Sequence, residues 1–144
     1  MRAGVFMIIR HPSGKLLMQL RDDGKGEKIW FPNTWCFPGG TKEPDEGFLQ
    51  TTIREAAEEF ELKLSPEDCK EILIFNYDGT EDTHVFLCSV GVDQEPVLKE
   101  GADVKWMNMT EIEKLPLAFG QNRILSTIKE TLERSELQRP ERLR

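Results

Sequence analysis

Three glutamates on one predicted helix are the residues of this sequence best suited to chemistry. Glu55, Glu58 and Glu59 stand at positions i, i+3 and i+4, so a helix would bring their side chains onto one patch about one turn long. Carboxylate oxygens are the ligands that hard divalent cations such as Mg²⁺ and Mn²⁺ prefer, and proteins commonly share such ions with a substrate phosphate. The pattern therefore suits a metal site that holds a phosphorylated substrate.

The charge balance around these glutamates leaves two interpretations open. From Asp45 to Glu61 the sequence has six acidic residues and a single basic residue, Arg54. Four of the acids fall in the second half of the helix, where the macrodipole disfavours negative charge by about 0.3–1 kcal/mol each. An exposed acidic face costs only about 0.2–0.5 kcal/mol per like-charged pair, so these magnitudes do not exclude a solvated surface. The helix pattern alone therefore favours a metal-binding site and a solvent-exposed acidic face about equally.

The segments before the helix offer further candidate ligand contacts. Gly39 and Gly40 let the backbone approach an ion or a phosphate closely, and a simple tight turn is the alternative. Lys42 could neutralise a phosphate, but the segment does not match a P-loop. Trp30 and Phe31 end a polar stretch that predicts a surface loop, where they either touch a ligand or pack on the core.

The rest of the pattern predicts an α/β protein that positions this helix. Strands are predicted at 4–10, 15–21, 70–76, 83–92 and 104–109, and a Pro-Gly turn joins the first two into a hairpin. Asp45 is predicted to cap a helix at about 46–61, and Thr110 with Glu113 has the spacing of a capping box. A last helix is predicted at about 119–137. Its apolar face comprises Ile124, Leu125, Ile128 and Leu132.

Length and composition predict one domain over residues 1–138, followed by a flexible C-terminal tail at 139–144. With 19 basic and 26 acidic residues the net charge is −7, which disfavours a nucleic-acid polymer as partner. No apolar run is long enough to suggest a membrane span or a secretory signal, so we expect a cytoplasmic protein. The three cysteines lack the spacing of a zinc site or a disulfide framework.

Residues 40–62 resemble the signature of the Nudix hydrolase family. That signature reads Gly, five residues, Glu, seven residues, Arg-Glu, a hydrophobic residue, any residue, Glu-Glu, any residue, Gly and a hydrophobic residue. The residues in register are Gly40, Glu46, Arg54, Glu55, Glu58, Glu59 and Leu62. Ala56 is smaller than the pattern expects, and Glu61 replaces the second glycine, which would normally end the helix in a left-handed conformation. Glu61 therefore predicts a different or strained helix exit.

The resemblance implies a Nudix-type α/β/α sandwich with a mixed central sheet, and one or more Mg²⁺ or Mn²⁺ ions as cofactor. The implied metal ligands are the Gly40 carbonyl and the carboxylates of Glu55, Glu58 and Glu59. Glu46 and Arg54 would fix the preceding loop and orient these ligands, and an i, i+4 ion pair with Glu58 is the alternative for Arg54.

Family members often use another acid from a loop before a strand tryptophan, as a further ligand or as the base. Glu100, six residues before Trp106, is the best candidate, and Asp103 is the alternative. The resemblance does not assign the base to one glutamate. Asn122, near the start of the last helix, is a candidate to hydrogen-bond a nucleobase, and Trp30 or Phe31 could stack on one.

The implied reaction is attack of water on phosphorus, which cleaves a pyrophosphate bond in a nucleoside diphosphate linked to another moiety. The substrate would be a nucleoside triphosphate, a nucleotide sugar or a dinucleotide, and no covalent nucleophile is needed. One alternative is a catalytically silent Nudix module that senses nucleotides, and another is an interaction domain with an acidic surface. The expected partner is a small-molecule nucleotide, and a homodimer is an open alternative to a monomer.

Overall fold

A strand that is apolar along most of its length lies at the centre of the fold. The computed structural model describes residues 2–137. Strand β1 (Gly4–Arg10) is buried from Gly4 to Ile9, and its side chains point alternately to opposite faces of the sheet. Phe6 and Ile8 belong to one hydrophobic core, whereas Val5 belongs to a second. A strand buried on both faces requires a covering layer on each side.

The remaining elements follow in chain order. The strands are β2 (Leu16–Leu20), β3 (Trp35–Cys36), β4 (Gly39–Thr41), β5 (Cys69–Phe75), β6 (Thr83–Ser89) and β7 (Asp103–Met107). The helices are α1 (Phe48–Phe60), α2 (Met109–Glu113) and α3 (Leu125–Leu137), with 3₁₀ segments at Pro66–Asp68 and Ala118–Ile124. The sequence predicted the five longer strands within a few residues and did not predict the short strands β3 and β4.

The strands form one mixed sheet with β1 in the middle. The main order is β3-β2-β1-β6-β5, while β4 also pairs with β1 and β7 with β2. The β1–β6 pair is parallel, from Gly4 opposite Thr83 to Arg10 opposite Ser89, and the other pairs are antiparallel. The predicted mixed central sheet is therefore confirmed.

Helices cover the two faces of this sheet. Ala56 and Phe60 of α1 are fully buried in the core that contains Val5. On the opposite face, Ile128 of α3 packs in the core that contains Ile8. Because each face of the sheet packs against helix residues, the predicted α/β/α sandwich is confirmed.

Two predicted helix caps are wrong. The N-cap of α1 is Gly47 and not Asp45, so the helix begins two residues later than predicted. The N-cap of α2 is Asn108, whose side chain accepts a hydrogen bond from the Glu111 amide at 2.9 Å, and not Thr110. In both cases several polar residues are adjacent, and the cap is decided by which residue takes the extended backbone conformation.

The last helix also begins later than predicted. Phe119 and Gly120 both have left-handed backbone conformations, with φ of 58° and 66°, which a right-handed helix cannot contain. The chain therefore passes through a 3₁₀ segment, and α3 begins only at Leu125. The apolar face is correctly predicted, because Ile124, Leu125 and Ile128 are buried.

Among residues 2–137, no helix is long and apolar enough to cross a membrane. The assignment of residues 1–138 to one domain stays a prediction. The predicted flexible tail at 139–144 lies outside the residues that the structure describes.

The burial of Phe60 predicts a large loss of stability when its ring is removed. Phe60→Ala should lower the free energy of unfolding by about 3–5 kcal/mol, because the mutation loses apolar burial and leaves a cavity between α1 and the sheet. Denaturant-induced unfolding would measure the change. Val92→Ala, at a side chain that is 70% exposed, should change stability by no more than about 0.5 kcal/mol. Equal effects of the two variants would contradict the assigned core.

Candidate active site

A close approach between β4 and α1 sets the position of Glu55. Gly40 pairs with Val5 in the sheet, and a Cβ on Gly40 would overlap with the Cγ and Cδ atoms of Glu55. On the other side, the Gly40 carbonyl lies so close to Gly4 that a Cβ there would also collide. The close approach that Gly40 allows is therefore one between its own backbone and the Glu55 carboxylate.

Arg54 joins the loop before α1 to the glutamates on the helix. Its Nε and Nη2 atoms donate to both carboxylate oxygens of Glu46, at 3.0 and 2.6 Å. Its Nη1 atom donates to Glu55 at 2.9 Å and to Glu58 at 3.1 Å. Its Nη2 atom also donates to the Thr41 carbonyl at 3.0 Å. The i, i+4 pair with Glu58 is thus one contact among several that this guanidinium makes.

Glu46 closes the loop at the start of the helix. Its Oε1 atom accepts hydrogen bonds from the Glu43 amide and the Thr51 hydroxyl, both at 2.9 Å. The Arg54 guanidinium and then the Glu43 amide lower the pKa of Glu46 to about 2. Glu46 is therefore ionised across the physiological range and holds the loop against α1.

Glu59 differs from its neighbours because it is buried without a cation. Its Oε2 atom is buried and has no hydrogen-bond partner within the described residues. Burial raises the pKa of Glu59 to about 9, with further contributions from a hydrogen bond to Glu55 and from the charges of Glu55, Glu100 and Glu58. Four carboxyl groups thus lie within electrostatic reach of one another.

Glu100 reaches this cluster from the loop before β7. Its backbone carbonyl accepts a hydrogen bond from the Gln19 side chain at 3.1 Å, and its charge acts on Glu59. Asp103, the alternative acid, begins β7, and its carboxylate accepts the Val104 amide at 2.8 Å. Of the two candidates, Glu100 is the one that the fold brings to the helical glutamates.

The end of α1 decides between the two alternatives predicted for Glu61. Glu61 has φ 55° and ψ 30°, and its amide donates to the Ala57 carbonyl at 3.0 Å. The Leu62 amide donates to the Ala56 carbonyl at 3.1 Å. The exit is therefore the left-handed one that a glycine would adopt, and it is strained, because a Cβ is disfavoured in this conformation. Of the two predicted alternatives, a different exit or a strained one, the structure has the strained one.

Two glutamates of the cluster border a large cavity. The cavity has a volume of about 950 Å³, and its wall includes Gly40, Glu59 and Glu100 as well as Trp30. The indole of Trp30 is 75% exposed, and its carbonyl accepts a hydrogen bond from Arg21 at 2.9 Å. The fold thus brings an exposed aromatic ring and the acidic cluster to one cavity.

Three predicted substrate contacts do not line this cavity. The Phe31 ring packs against Phe119 with ring centroids 5.0 Å apart, which corresponds to its alternative assignment as a packing residue. The ammonium of Lys42 donates to the neighbouring Glu43 carbonyl at 3.1 Å. The amide of Asn122 bonds the backbone at the start of the last helical segment, with 2.7 Å to the Leu117 amide and 2.8 Å to the Leu115 carbonyl.

The prediction did not include the basic residues that line the cavity. These are Arg2, Arg21, Lys25 and Lys99. The net charge of −7 gave no sign of them, because it averages over the whole surface. Phe119 was missed as well; it lines the cavity with its ring 5.0 Å from the Arg21 guanidinium carbon. The signals available were the place of Arg21 at the end of a strand and the position of Lys99 next to Glu100.

A family comparison accounts for this arrangement. The family model described as NUDIX domain matches residues 1–128. The chain therefore belongs to the Nudix family.

Individual relatives agree with this assignment. A stretch of 122 residues is 29% identical to a Mycobacterium tuberculosis protein provisionally named 8-oxo-dGTP diphosphatase 3, and it covers 75% of this chain and 56% of that protein. A stretch of 71 residues is 38% identical to the m7GpppN-mRNA hydrolase NUDT17 of Danio rerio, and it covers 49% of this chain and 23% of that relative. The chain thus spans about half the length of the first relative and about a quarter of the second. A mutT/nudix family protein from Listeria innocua shares the fold with a TM-score of 0.78 at 20% identity, over 96% of this chain and 98% of that one.

The carboxylates fit a hard divalent cation in their chemistry. Within residues 2–137, no three His, Cys, Asp or Glu side chains already surround a common point as metal ligands would. Arg54 holds Glu55 and Glu58 through hydrogen bonds, whereas the buried Oε2 atom of Glu59 has no partner. A buried carboxylate oxygen among further carboxylates matches the all-oxygen donor set that Mg²⁺ and Mn²⁺ prefer.

The raised pKa of Glu59 predicts how stability depends on pH without metal. Between the usual value of about 4.5 and about 9, the folded protein holds a proton that the unfolded chain releases. Stability should therefore fall as pH rises through this window, by at most about 1.4 kcal/mol per pH unit. In EDTA, Glu59→Gln should be more stable than wild type at pH 8 and should show a flatter dependence. Chemical denaturation from pH 5.5 to 8.5 measures both curves, and parallel curves would contradict the prediction.

Proposed function

We propose that this protein uses a divalent metal to hydrolyse a pyrophosphate bond in a nucleoside diphosphate linked to another moiety. The observation that carries the proposal is the buried Oε2 atom of Glu59, which has no hydrogen-bond partner within the described residues and lies among other carboxyl groups beside a cavity that basic residues also line. Acidic groups alone would repel a polyphosphate. A cation bound by the glutamates would remove that repulsion and give Glu59 a partner.

The proposed ligands of Mg²⁺ or Mn²⁺ are the Gly40 carbonyl and the carboxylates of Glu55, Glu58, Glu59 and Glu100. When bound, the ion would neutralise phosphate oxygens and lower the pKa of the attacking water. In this proposal Glu46 and Arg54 act as positioning residues, because Arg54 bonds Glu46 on one side and Glu55 with Glu58 on the other. A metal ion bound by Glu55 and Glu58 would share with Arg54 the neutralisation of these two carboxylates.

The basic residues and the aromatic rings of the cavity suggest how a nucleotide would bind. Arg21, Lys25 and Lys99 provide positive charge for phosphate oxygens that no metal covers. The exposed indole of Trp30 offers a flat apolar surface to a nucleobase. The mycobacterial relative is named for a nucleoside triphosphate, and the Danio rerio relative for an mRNA cap, so nucleoside triphosphates and dinucleotides head the list of candidate substrates. We retain the cytoplasmic location predicted from the sequence as part of this proposal.

Removing one carboxylate charge should abolish metal-dependent hydrolysis. Glu58→Gln and Glu59→Gln should each lower kcat/KM on the order of 100-fold or more, because a neutral amide binds a hard cation poorly and leaves the transition-state charge uncompensated. The assay is release of phosphate or pyrophosphate from nucleoside triphosphates, nucleotide sugars and dinucleotides, with Mg²⁺, Mn²⁺ or EDTA.

Glu113→Gln is the matched control for this experiment, since Glu113 lies on α2 in a surface ion pair with Lys129. It should hydrolyse substrates at the wild-type rate. If wild type binds nucleotides in the presence of metal but cleaves none of them, the proposal is wrong and the nucleotide-sensing alternative takes its place.

The exposed position of Trp30 predicts an effect on nucleotide recognition. Trp30→Ala should raise KM for a nucleoside triphosphate about fivefold or more, because stacking on an aromatic ring contributes about 1–3 kcal/mol per base. Trp30→Phe should retain most of the affinity. Inorganic tripolyphosphate has no base, so its inhibition constant should be the same in all three proteins. Equal losses for nucleotide and tripolyphosphate would mean that Trp30 does not contact a base.

A further inference from the structure

The loop that carries Glu100 is tied to two parts of the fold. We call residues 94–102 the strap. After Glu100, the strap is held by β2, because the Ala102 amide donates to the Leu20 carbonyl at 2.8 Å and the Glu100 carbonyl accepts from Gln19 at 3.1 Å. These bonds fix one end of the strap next to the sheet.

Before Glu100, the strap is tied to the exit of α1. The Gln94 side chain makes two hydrogen bonds with the Lys63 backbone, at 2.7 Å to its amide and 2.9 Å to its carbonyl. The Val97 amide donates to the Phe60 carbonyl at 2.9 Å. The remaining tie is made by a side chain at the helix exit itself, the ion pair between Glu61 and Lys99 at 2.6 Å. Of the ties that precede Glu100, this pair is the closest to it along the chain.

We propose that Glu61 is a positioning residue, whose ion pair with Lys99 fixes the strap so that Glu100 faces Glu59. The inference rests on the proposed function in one respect, namely that Glu100 acts at the same site as the helical glutamates. In this role Glu61 contacts neither Glu59 nor Glu100. It acts through the backbone between Lys99 and Glu100.

The backbone at position 61 makes the role of the carboxylate separable from that of the helix exit. Glu61 has φ 55°, which glycine adopts with less strain than any residue with a Cβ. The hydrogen bonds of the exit are made by backbone atoms, from the Glu61 and Leu62 amides, and glycine would keep both. The side chain of Glu61 is therefore the only part of this residue that a glycine would not supply, and its observed contact is with Lys99.

Because the ion pair is exposed, we expect it to affect the local opening of the strap and not the stability of the whole protein. The side chains of Lys99 and Glu61 are 46% and 53% exposed, and exposed pairs contribute little to global stability. A loop with few buried apolar contacts opens by local fluctuations, so a weak tie can still change how often the strap holds its position. Lys99 also lines the cavity, and its pairing offsets the negative charge of Glu61 beside the proposed metal site.

Glu61→Gly tests the inference, because activity should fall while stability does not. The melting temperature should be equal to or higher than that of wild type, since the left-handed conformation is relieved of a Cβ. Amide hydrogen exchange in residues 97–102 should become faster. With the best nucleotide substrate, kcat should fall roughly two- to fivefold, in line with the loss of one exposed ion pair. A purely structural role would raise the melting temperature and leave exchange and kcat unchanged.

Two further variants distinguish the effect of the ion pair from the effect of either side chain alone. Lys99→Gln should reproduce the faster exchange, and the double variant Glu61→Lys with Lys99→Glu should restore slow exchange in the strap. Glu113→Gln removes a surface ion pair of similar exposure on another part of the protein, and it should leave exchange in residues 97–102 at the wild-type rate. Failure of the exchanged pair to restore slow exchange would count against the inference.

Two results would overturn the inference outright. One is unchanged hydrogen exchange in residues 97–102 of Glu61→Gly, and the other is faster exchange with an unchanged kcat. If wild type hydrolyses no nucleotide, that result concerns the proposed function. The affinity for Mn²⁺, measured by titration calorimetry, then replaces kcat: a two- to fivefold weaker affinity of Glu61→Gly would support the inference, and an equal affinity would refute it.

Discussion

The guanidinium of Arg54 makes the interaction on which the site depends. It contacts three glutamates and the Thr41 carbonyl, so that the loop after β4 and the middle of α1 are held by one cation. A guanidinium suits this task because it is planar, is always charged and directs five donors in fixed directions. The ammonium group of a lysine would be a single point charge without this geometry. The acidic helix can therefore fold next to the loop because its closest charges share one partner that also fixes their directions.

Arg54 does not contact Glu59, and the burial of this carboxyl without a cation lowers the stability of the folded site. The carboxyl is buried, one of its oxygens lacks a partner, and its pKa rises to about 9. Such a group opposes folding at neutral pH unless something else in the structure compensates. The compensation comes from the two hydrophobic cores, which bury apolar side chains on both faces of the sheet. The same α1 that exposes Glu58 buries Phe60 against the sheet, so that stability and reactivity are provided by different faces of one helix.

Local patterns predicted the helix with its glutamates and the longer strands, because these features depend on the spacing of residues close in sequence. Long-range features were beyond such patterns. That Glu100 acts on Glu59 depends on how the loop before β7 crosses the end of α1, and no periodicity encodes that path. The hydrogen bonds of Asn122 to the backbone were beyond such patterns for a related reason, because an amide suited to a base is equally suited to the backbone of a turn. The kink at Phe119 escaped prediction because an aromatic residue seldom adopts a left-handed conformation.

The parallel pairing of β1 with β6 has a consequence for how the chain folds. Gly4 pairs with Thr83, so the central contact of the sheet joins segments separated by more than half of the protein. Closing so long a loop costs entropy before any contact compensates for it, and folding is expected to be slow relative to that of helical proteins of similar size. On the ribosome, β1 would emerge before β6 and remain without this parallel neighbour until β6 has left the exit tunnel. The edge of this apolar strand that pairs with β6 would stay unpaired throughout this interval, which makes the nascent hairpin prone to association with other chains.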